Sequence, residues 1–373
     1  MPRRLTVLQV VPALETGGVE RQTAALAVHL SRAGHRSLVM SAGGAFEEAI
    51  RAGGAEPLRW WVGRKSPATL LLVPRLARFL REEGVDVVLA PSRLPAWVAL
   101  GATRLLPRGA RPALVTAVHG IHSVNRYSEV MTRGDLVVTV SATVTDYVRS
   151  RYPRADGARI REVRLGIDRD AFPRGYGPTP EWTARFRREH PALAGRRLVT
   201  LPARFTAWKG PLALLDLLRD LSRRGLPVAA AVCGEIPQRR ARRARELLAS
   251  ARGEGLPLEL LGHRADVRDV MTSSAVVVSL SAPKPEAFGH AVVEALSLGV
   301  PVAGWDHGGV GEVLHDAFPE GAVPLLRTDL LADRVAAFLE SPPRVPPLPG
   351  YAIEETMRGM ERVLEEAAET LRT

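Results

Sequence analysis

Short apolar strands alternate with amphipathic helical segments along most of this 373-residue chain. The first strand candidate, at residues 5–11, is a near-continuous β-branched and apolar run, and residues 19–32 then show the apolar spacing of a helix. Further strand candidates in the first half cover residues 37–41, 85–90, 113–118 and 136–140. Such alternation predicts an α/β fold, in which helices cover both faces of a doubly wound parallel sheet.

A segment rich in proline and glycine interrupts the alternation at residues 172–195 and has no sustained periodicity. This composition predicts a linker between domains. The alternation then restarts, with strand candidates at residues 198–201, 228–232, 258–261, 275–280 and 300–304. The repeat of the whole pattern predicts two Rossmann-like domains in tandem.

The predicted domains are an N-terminal one at residues 1–175 and a C-terminal one at residues 176–350. Residues 351–373 follow a second proline cluster and form an acidic amphipathic helix with six Glu against three Arg. We expect this helix to pack back on the N-terminal domain, because that domain is basic. A solvated terminal helix would show the same pattern.

The composition excludes several classes of protein. Hydrophobic residues make up 46% of the chain and charged residues 24%, as in ordinary globular proteins rather than disordered chains or coiled coils. The single cysteine, Cys233, excludes a disulfide framework and a cysteine-based zinc cluster. Because there is neither a signal-peptide pattern nor an apolar run of about 20 residues, we expect a cytoplasmic protein without a membrane span.

The positive charge is concentrated in the first half. Residues 1–175 contain 26 Lys and Arg against 15 Asp and Glu, whereas residues 176–373 contain 25 of each sign. A basic half attracts polyanions such as nucleic acid, anionic lipid or phosphorylated substrates, although a general drift toward arginine would give the same excess. The arginine run at residues 239–245 lacks interleaved aromatic residues, so we interpret it as a solvated helix face and expect no nucleic-acid partner. Residues 70–81 fit either a membrane-contacting helix or a core helix with exposed arginines.

Gly17 and Gly18 lie between the first strand and the first helix. Glycine lets the backbone approach a ligand, and the N–H groups at a helix N-terminus attract anions. The segment lacks the G-x-G-x-x-G spacing of nicotinamide-binding domains. The alternative is a tight connection without a ligand.

Arg204 and Lys209 follow the first strand of the second domain, at the edge where doubly wound sheets bind ligands. Two cations placed there suit a diphosphate, and the alternative is a pair of surface charges. Glu286 and Glu294 lie further along, in a loop and in the first turns of the next helix. Glu294 in that position fits a ribose clamp, whereas a solvated loop charge and a dipole-favoured first-turn Glu are the plain alternative.

These features occur together in one order. They are the Gly17-Gly18 turn, His119 after a strand, Gly166-Ile167-Asp168, the Arg204 and Lys209 pair, and Glu286 and Glu294 at E-x7-E spacing followed by Gly299-x-Pro301-Val302. Over nearly its whole length the sequence thereby resembles the retaining glycosyltransferases of family 4, which have the GT-B fold. The resemblance implies two Rossmann-like domains with a cleft between them.

The resemblance also implies roles for individual residues. The catalytic set it implies is Arg204, Lys209, Glu286 and His119, with the two cations neutralising the donor diphosphate, Glu286 holding sugar hydroxyls and His119 contacting the donor sugar. The donor-binding set is Gly17, Gly18, Glu294, Phe288, Gly289, His290 and Arg264. In that set Glu294 holds the ribose, and residues 288–290 offer backbone N–H groups to phosphate.

The implied function is transfer of a sugar, with retention, from a nucleotide sugar to a hydroxyl acceptor. Fixed cations stabilise the charge that develops on the leaving diphosphate, so we expect neither a metal nor another cofactor, although Asp168 and Asp170 form an Asp-x-Asp pattern. The sequence does not distinguish UDP, GDP and ADP donors. The basic first half favours a lipid-linked or cell-envelope glycan acceptor of lipopolysaccharide type, and an enzyme peripheral on the inner face of the cytoplasmic membrane.

Two other functions fit the pattern less well. A GT-B enzyme of another reaction, such as a sugar-nucleotide epimerase or a phosphorylase, would turn over without an acceptor or with phosphate alone. A non-catalytic basic module would bind lipid or nucleic acid without needing Lys209 or Glu294. Ala203 and Trp305 depart from the family pattern, in which a glycine is usual at the first position and a small residue at the second. The family pattern therefore does not define the shape of the donor pocket in this chain.

Overall fold

The computed structural model describes residues 3–15, 17–153 and 155–371. The strands within these ranges are β1 Thr6–Val10, β2 Arg36–Ser41, β3 Glu56–Arg59, β4 Val87–Ala90, β5 Ala113–Val118, β6 Leu136–Thr139, β7 Ile160–Glu162, β8 Arg197–Leu201, β9 Val228–Cys233, β10 Leu258–Gly262, β11 Val276–Ser279, β12 Val302–Trp305 and β13 Ala322–Val323. The α-helices are α1 Gly18–Arg32, α2 Glu47–Ala52, α3 Leu72–Glu82, α4 Arg93–Leu105, α5 Ala142–Arg151, α6 Pro180–Glu189, α7 Pro211–Arg223, α8 Ala241–Gly253, α9 Val267–Thr272, α10 His290–Leu298, α11 Gly308–Ala317, α12 Thr328–Glu340 and α13 Ile353–Thr370. None of these helices is long and apolar enough to cross a bilayer.

The chain divides into two compact units. Unit 1 consists of residues 1–165 together with residues 354–373, and unit 2 consists of residues 166–353. The first division thus falls earlier than residue 175, where the sequence placed it. The last helix belongs to unit 1, although the chain reaches it directly from unit 2.

Residues 172–195 are not the plain linker that their composition predicts, because they contain helix α6. The Thr179 hydroxyl accepts a hydrogen bond from the Trp182 N–H (3.2 Å), and Pro180 occupies the first turn. Trp182 and Phe186, four residues apart, stack at 4.7 Å and join the buried core of unit 2 with Leu193. Because prolines surround the helix, the sequence pattern did not reveal its regular start at Thr179 and Pro180.

The sheet of unit 1 is entirely parallel and has the strand order β3-β2-β1-β4-β5-β6-β7. Its central strands are apolar throughout because helices cover both faces, and Val7, Leu8 and Val88 are inaccessible to solvent. The chain runs outward from β1 in one direction and then from β4 in the other. The switch point therefore lies between β1 and β4, and the loops at their carboxyl ends flank it.

The sheet of unit 2 repeats this plan, with the order β10-β9-β8-β11-β12-β13 and parallel pairing throughout. Its six strands thus follow the same relative order as the first six strands of unit 1. The switch point lies between β8 and β11, which pair directly with Val199 opposite Val276. The prediction of two parallel-sheet Rossmann-like units is confirmed.

Polar contacts fasten helix α13 to the rest of unit 1. The Arg161 guanidinium donates to both carboxylate oxygens of Glu366, with Nε at 3.0 and 3.1 Å. The Thr356 hydroxyl donates to the Arg164 carbonyl at 3.0 Å. An acidic residue of α13 thus pairs with a basic residue of β7, the edge strand of the unit 1 sheet.

Two histidines meet the Glu361 carboxylate of α13. Buried His35 accepts the Leu5 N–H at Nδ1 (3.1 Å), so its proton is on Nε2, which donates to Glu361 Oε1 at 3.1 Å. His29 Nε2 lies 2.8 Å from the other carboxylate oxygen. Glu365 is close enough to complete a possible metal-binding group. Because both ring nitrogens of His35 already have hydrogen-bond partners, we assign the cluster to helix attachment.

Candidate functional site

Three of the predicted site residues of unit 2 occupy loops on the two sides of its switch point. Arg204 and Lys209 lie in the loop between β8 and α7, and Glu286 lies in the loop between β11 and α10. Because β8 and β11 are neighbouring parallel strands, their carboxyl ends open at the same place. Ligands of doubly wound sheets bind at this place.

Lys209 and Glu286 are in direct contact across the switch point. The Lys209 ammonium donates to Glu286 Oε1, and the Ser281 hydroxyl donates to the same oxygen at 2.5 Å. Only 20% of the Lys209 side chain and 19% of the Glu286 side chain are exposed. The Lys209 ammonium also lies 4.5 Å from the centre of the Trp208 ring. Both charged groups are therefore held in fixed positions in a partly desolvated setting.

A close backbone approach holds the two loops together. Gly210 has a φ of +82°, and a Cβ atom there would lie 2.3 Å from the carbonyl oxygen of Leu280. The Ala282 N–H donates to the Trp208 carbonyl at 2.8 Å. Only glycine at position 210 allows Lys209 to sit this close to the β11 loop.

The loop after β12 supports the Glu286 loop from its other side. The Gly309 N–H donates to the Glu286 carbonyl at 2.9 Å, and Glu286 forms an isolated parallel bridge with Gly308. A Cβ atom on Gly309 would lie 2.4 Å from the Phe288 backbone, and Gly308 has a φ of +60°. These two glycines therefore serve the geometry of the loop.

Helix α10 carries the remaining predicted donor-binding residues near its N-terminus. Gly289, with a φ of +119°, precedes the helix, and His290 and Glu294 lie one turn apart on the same face. The Phe288 ring is 4% exposed and packs against the rings of His290 (5.1 Å) and Tyr351 (6.0 Å). The Phe288 side chain is thus a core group, and only its backbone remains a candidate for ligand contact.

Arg264 is engaged in a separate cluster after the edge strand β10. Its guanidinium donates to both oxygens of Asp266, at 2.8 and 2.7 Å, and Asp266 also accepts the Trp182 indole N–H at 2.7 Å. The hydrogen bonds from Arg264 lower the pKa of Asp266 to about 2. The structure therefore gives the Arg264 side chain a partner within unit 2 and does not bring it to the Lys209–Glu286 pair.

The two departures from the family pattern have different surroundings. Ala203 lies against Gly234, where a Cβ atom would be 2.2 Å from the Ala203 carbonyl oxygen, so the backbone before exposed Arg204 is closely packed. Trp305 is 1% exposed and belongs to the core at the end of β12. Its bulk is thus accommodated inside unit 2.

The Asp-x-Asp segment forms a turn. Asp168 Oδ1 accepts the N–H groups of Asp170 (2.9 Å) and Ala171 (3.2 Å). A carboxylate that closes its own turn in this way is a common local motif in loops. The Asp168 contacts provide a structural reason for this residue that does not involve a metal.

In unit 1 the predicted residues also lie at strand ends beside the switch point. Gly17 and Gly18 begin helix α1 after β1, and a Cβ atom on Gly18 would meet no other atom within 4 Å. The N-terminus of this fifteen-residue helix is exposed, and beside Gly17 it carries the Glu20 carboxylate, since a Cβ atom on Gly17 would be 2.1 Å from Glu20 Oε2. A helix N-terminus offers N–H groups and a favourable dipole to an anion, and an anion bound here would lie near the Glu20 carboxylate.

His119 follows β5 and lines a small cavity of about 20 Å³, which is large enough for a water molecule. The Gln9 side chain of β1 and Met357 of α13 line the same cavity. Gln9 is 1% exposed, and its Oε1 has no hydrogen-bond partner among the described residues. His119 therefore occupies the ligand edge of unit 1 beside a buried polar group.

Three further residues contribute to the unit 2 site and were not predicted from the sequence. Ser281 and Trp208 both contact the Lys209–Glu286 pair, and the Lys284 ammonium lies 5.7 Å from the Trp208 ring centre. Lys284 is one of only three lysines in the sequence. Their position in the sequence could have indicated this role, since all three residues lie in the loops that follow β8 and β11.

Two family models match the chain in succession. Residues 16–171 match the model described as Glycosyltransferase Family 4, and residues 183–354 match the model described as Glycosyl transferases group 1. No curated protein shows significant sequence similarity to the chain.

Several solved structures share the fold over almost their full length. A glycosyltransferase from Rickettsia africae is 24% identical, with a TM-score of 0.81 and 98% of each chain covered. Anabaena HepE, solved in complex with UDP and glucose, is 20% identical, with a TM-score of 0.75 and coverage of 99% of this chain and 100% of that chain. The lipopolysaccharide outer core galactosyltransferase WaaB is 13% identical, with a TM-score of 0.67 and 99% of each chain covered.

Proposed function

Because the chain belongs to the family 4 and group 1 glycosyltransferases and has the GT-B fold, we propose that it transfers a sugar, with retention, from a nucleotide-sugar donor to a hydroxyl acceptor. The observation that carries this proposal is the Lys209–Glu286 pair at the switch point of unit 2. A fixed cation beside a fixed carboxylate suits a ligand that combines a diphosphate with a hydroxyl-rich sugar.

Lys209 and Arg204 bind the donor diphosphate in this proposal. Lys209 is already held by Glu286 and the Trp208 ring, so little reorganisation is needed when negative charge develops on the leaving group. Arg204 is exposed on the same loop and supplies a second positive charge. Glu286 accepts hydrogen bonds from sugar hydroxyls through the oxygen that Ser281 and Lys209 leave available.

Helix α10 holds the nucleoside end of the donor. Glu294 accepts hydrogen bonds from the two ribose hydroxyls, and the backbone N–H groups of residues 288–290 contact phosphate. The position of Glu294 one turn into the helix, with Gly289 before the helix start, supports these roles. HepE is described in complex with UDP-glucose, at 21% identity and a TM-score of 0.74, and this favours a nucleotide-sugar donor of the same kind.

The proposed chemical step needs no metal and no other cofactor. The bond between sugar C1 and the β-phosphate oxygen breaks, and the acceptor oxygen bonds to C1 on the same face of the ring. The acceptor hydroxyl proton moves to the departing phosphate oxygen, which balances the charge. Lys209 and Arg204 stabilise the diphosphate as it leaves.

Unit 1 contributes His119, Gly17 and Gly18 to the donor sugar and diphosphate, and it supplies the acceptor-binding residues. We propose that the acceptor is a lipid-linked or cell-envelope glycan of the lipopolysaccharide type. The charge excess of residues 1–175 and the fold shared with WaaB support this choice. The corresponding location is the inner face of the cytoplasmic membrane.

A thermal-shift panel tests donor binding. UDP, GDP and ADP, each free and as a sugar conjugate, are added to the wild-type chain and to the Lys209→Ala and Arg243→Ala variants. Binding to the native state raises the melting temperature, so one nucleotide should shift wild type and Arg243→Ala but not Lys209→Ala. The same shift in all three proteins, or no shift with any nucleotide, would contradict the proposed site.

Product analysis tests the reaction. The donor identified by thermal shift is incubated with glycolipid acceptors, and NMR of the product reports the anomeric configuration. Retention is expected. Inversion would refute the same-face displacement, and turnover without an acceptor or with phosphate alone would favour an epimerase or a phosphorylase.

A further inference from the structure

Unit 1 exposes three large apolar side chains in one short stretch of chain. Trp61, Leu70 and Leu71 are 66%, 67% and 74% exposed. They belong to the segment of residues 60–71, which joins β3 to α3 and which we name the β3–α3 loop. Exposed apolar groups that lie close together on a protein surface indicate an interaction site.

The stretch of chain that carries these side chains is basic. From Arg59 to Arg81 the chain contains six cationic residues and no Asp or Glu. Arg59 and Arg78 form ion pairs with Glu47 and Glu82. Within the described part of the chain, Arg64, Lys65 and Arg75 have no carboxylate within ion-pair distance. Unpaired positive charges are thus present in the same stretch of chain as the apolar groups.

Internal hydrogen bonds give the β3–α3 loop a fixed shape. The Arg64 N–H donates to the Trp61 carbonyl at 3.2 Å, and the hydroxyl of buried Thr69 donates to the Arg64 carbonyl at 2.5 Å. The Ser66 hydroxyl caps the 3-10 turn of Pro67–Leu71. These bonds tie the Trp61 end of the loop to the Leu70 end, so the exposed groups belong to one ordered surface.

Helix α3 itself is not the exposed apolar element. Its Leu76, Ala77 and Leu80 are buried, and its Arg75 guanidinium lies 4.6 Å from the centre of the Trp60 ring. The second sequence interpretation of residues 70–81, a core helix with exposed arginines, is therefore correct for the helix. The apolar residues that face solvent precede it.

The loop also lies close to the ligand edge of unit 1. A Cβ atom on Gly63 would be 2.5 Å from Pro12 Cβ, so the loop backbone packs directly on Pro12. Pro12 lies two residues after the end of β1. The connection from β1 continues to Gly17 and Gly18 at the start of α1. A surface bound to the β3–α3 loop would therefore adjoin the switch point of the unit 1 sheet.

We propose that the β3–α3 loop docks unit 1 on an anionic lipid bilayer. Trp61, Leu70 and Leu71 insert at the level of the headgroups, and Arg64 and Lys65 contact lipid phosphates. An indole and two leucines surrounded by unpaired cations match the apolar and negatively charged layers of such a surface. The purpose of docking rests on the proposed function, since it brings the ligand edge of unit 1 to a lipid-linked acceptor.

Vesicle flotation of the full chain tests the proposal. Vesicles of phosphatidylcholine alone are compared with vesicles in which one third of the lipid is phosphatidylglycerol, at low and high salt and without donor. Wild type should float with the anionic vesicles only, and high salt should weaken binding. Absence from anionic vesicles, or equal binding to both kinds, would overturn the proposal.

Variants locate the surface. Arg64→Gln with Lys65→Gln should lower the partition coefficient about 30-fold, because each cation near an anionic surface contributes about a fivefold factor. Trp61→Ser with Leu71→Ser should lower it at least about tenfold. Binding of either double variant at the wild-type level would show that another surface is responsible.

Matched controls come from unit 2. Leu212 is 64% exposed, so Leu212→Ser removes a comparable exposed leucine. Arg243→Gln with Arg245→Gln removes two exposed cations of helix α8. Both controls should float like wild type. The nucleotide thermal shift of every variant should equal that of wild type, so a failure of membrane docking is distinguishable from a failure of donor binding.

Discussion

Units 1 and 2 share one strand order but differ at the edge where their ligands are expected. At the switch point of unit 2, Lys209 and Glu286 form an ion pair held by Ser281 and by close glycine backbones. At the switch point of unit 1, the exposed N-terminus of α1 at Gly18 lies near a small cavity lined by His119. The shared fold therefore sets where a ligand site lies in each unit, whereas the residues of the loops determine the chemistry of that site.

The strongest test of this contrast is removal of the unit 2 cation. Lys209→Ala should lower kcat/KM about a thousandfold, because a fixed charge at the leaving group is lost. Steady-state kinetics with the donor identified by thermal shift measures the effect. Arg243→Ala, which removes an exposed cation of α8, is the control and should change kcat/KM less than about twofold. A decrease in kcat/KM of less than about tenfold for Lys209→Ala would contradict the role of the unit 2 switch point in stabilising the leaving group.

The matching change in unit 1 is His119→Ala. We expect kcat to fall about a hundredfold, because a group that contacts the reacting sugar is lost. The affinity for the free nucleotide should remain within about threefold of wild type, since unit 2 binds it. Calorimetry of nucleotide binding alongside kinetics separates the two effects. A large loss of nucleotide affinity would show that the units do not divide the work in this way.

The next test compares stability and uses the Arg264–Asp266 pair of unit 2. The pKa of Asp266 is lowered to about 2, below the value of about 3.9 expected in the unfolded chain. The unfolded state therefore binds the proton more readily. The stabilisation is fully present above about pH 4 and is lost as the pH falls through about 2.

Asp266→Asn should accordingly lower the free energy of unfolding by about 2 kcal/mol at pH 7. Urea denaturation at pH 7 and near pH 3 measures it, and the difference from wild type should shrink in acid. Equal differences at both pH values would mean that the carboxylate charge does not contribute.

The smallest expected effect belongs to the ion pair on the last helix of unit 1. Arg161 and Glu366 are 36% and 40% exposed, so solvent screens them. Glu366→Gln should change the free energy of unfolding by less than about 0.5 kcal/mol. The same denaturation experiment measures it. A cost as large as that of Asp266→Asn would contradict the contrast between a partly buried and an exposed pair.

The sequence predicted the family, the parallel sheets and the positions of Lys209 and Glu286 in loops that follow strands, because these depend on motif order, on periodicity and on where the strands end. It did not predict the contact between Lys209 and Glu286. It did not predict the ion pair between Arg264 and Asp266, because two side chains that are two residues apart meet only for certain backbone conformations of the loop. It also misjudged residues 172–195, where the helix start at Thr179 and Pro180 was read as one more part of a proline-rich linker.

Exposure was the other property that the sequence could not supply. Residues 70–81 have a helical apolar pattern, yet only the structure shows that Leu76 and Leu80 face the core whereas Leu70 and Leu71 face solvent. The same limit applies to Phe288, whose ring is buried although its neighbours were predicted to bind the donor. Periodicity identifies the apolar face of a helix, but only tertiary packing determines which of its side chains are buried.

Unit 1 is assembled from two separate stretches of the chain, since residues 354–371 belong with residues 3–165. During synthesis the first stretch leaves the ribosome long before helix α13 does, so the complete set of contacts in unit 1 forms last. Unit 2, being continuous, can reach its native contacts earlier. Truncation before residue 354 should therefore damage the half of the enzyme that was made first.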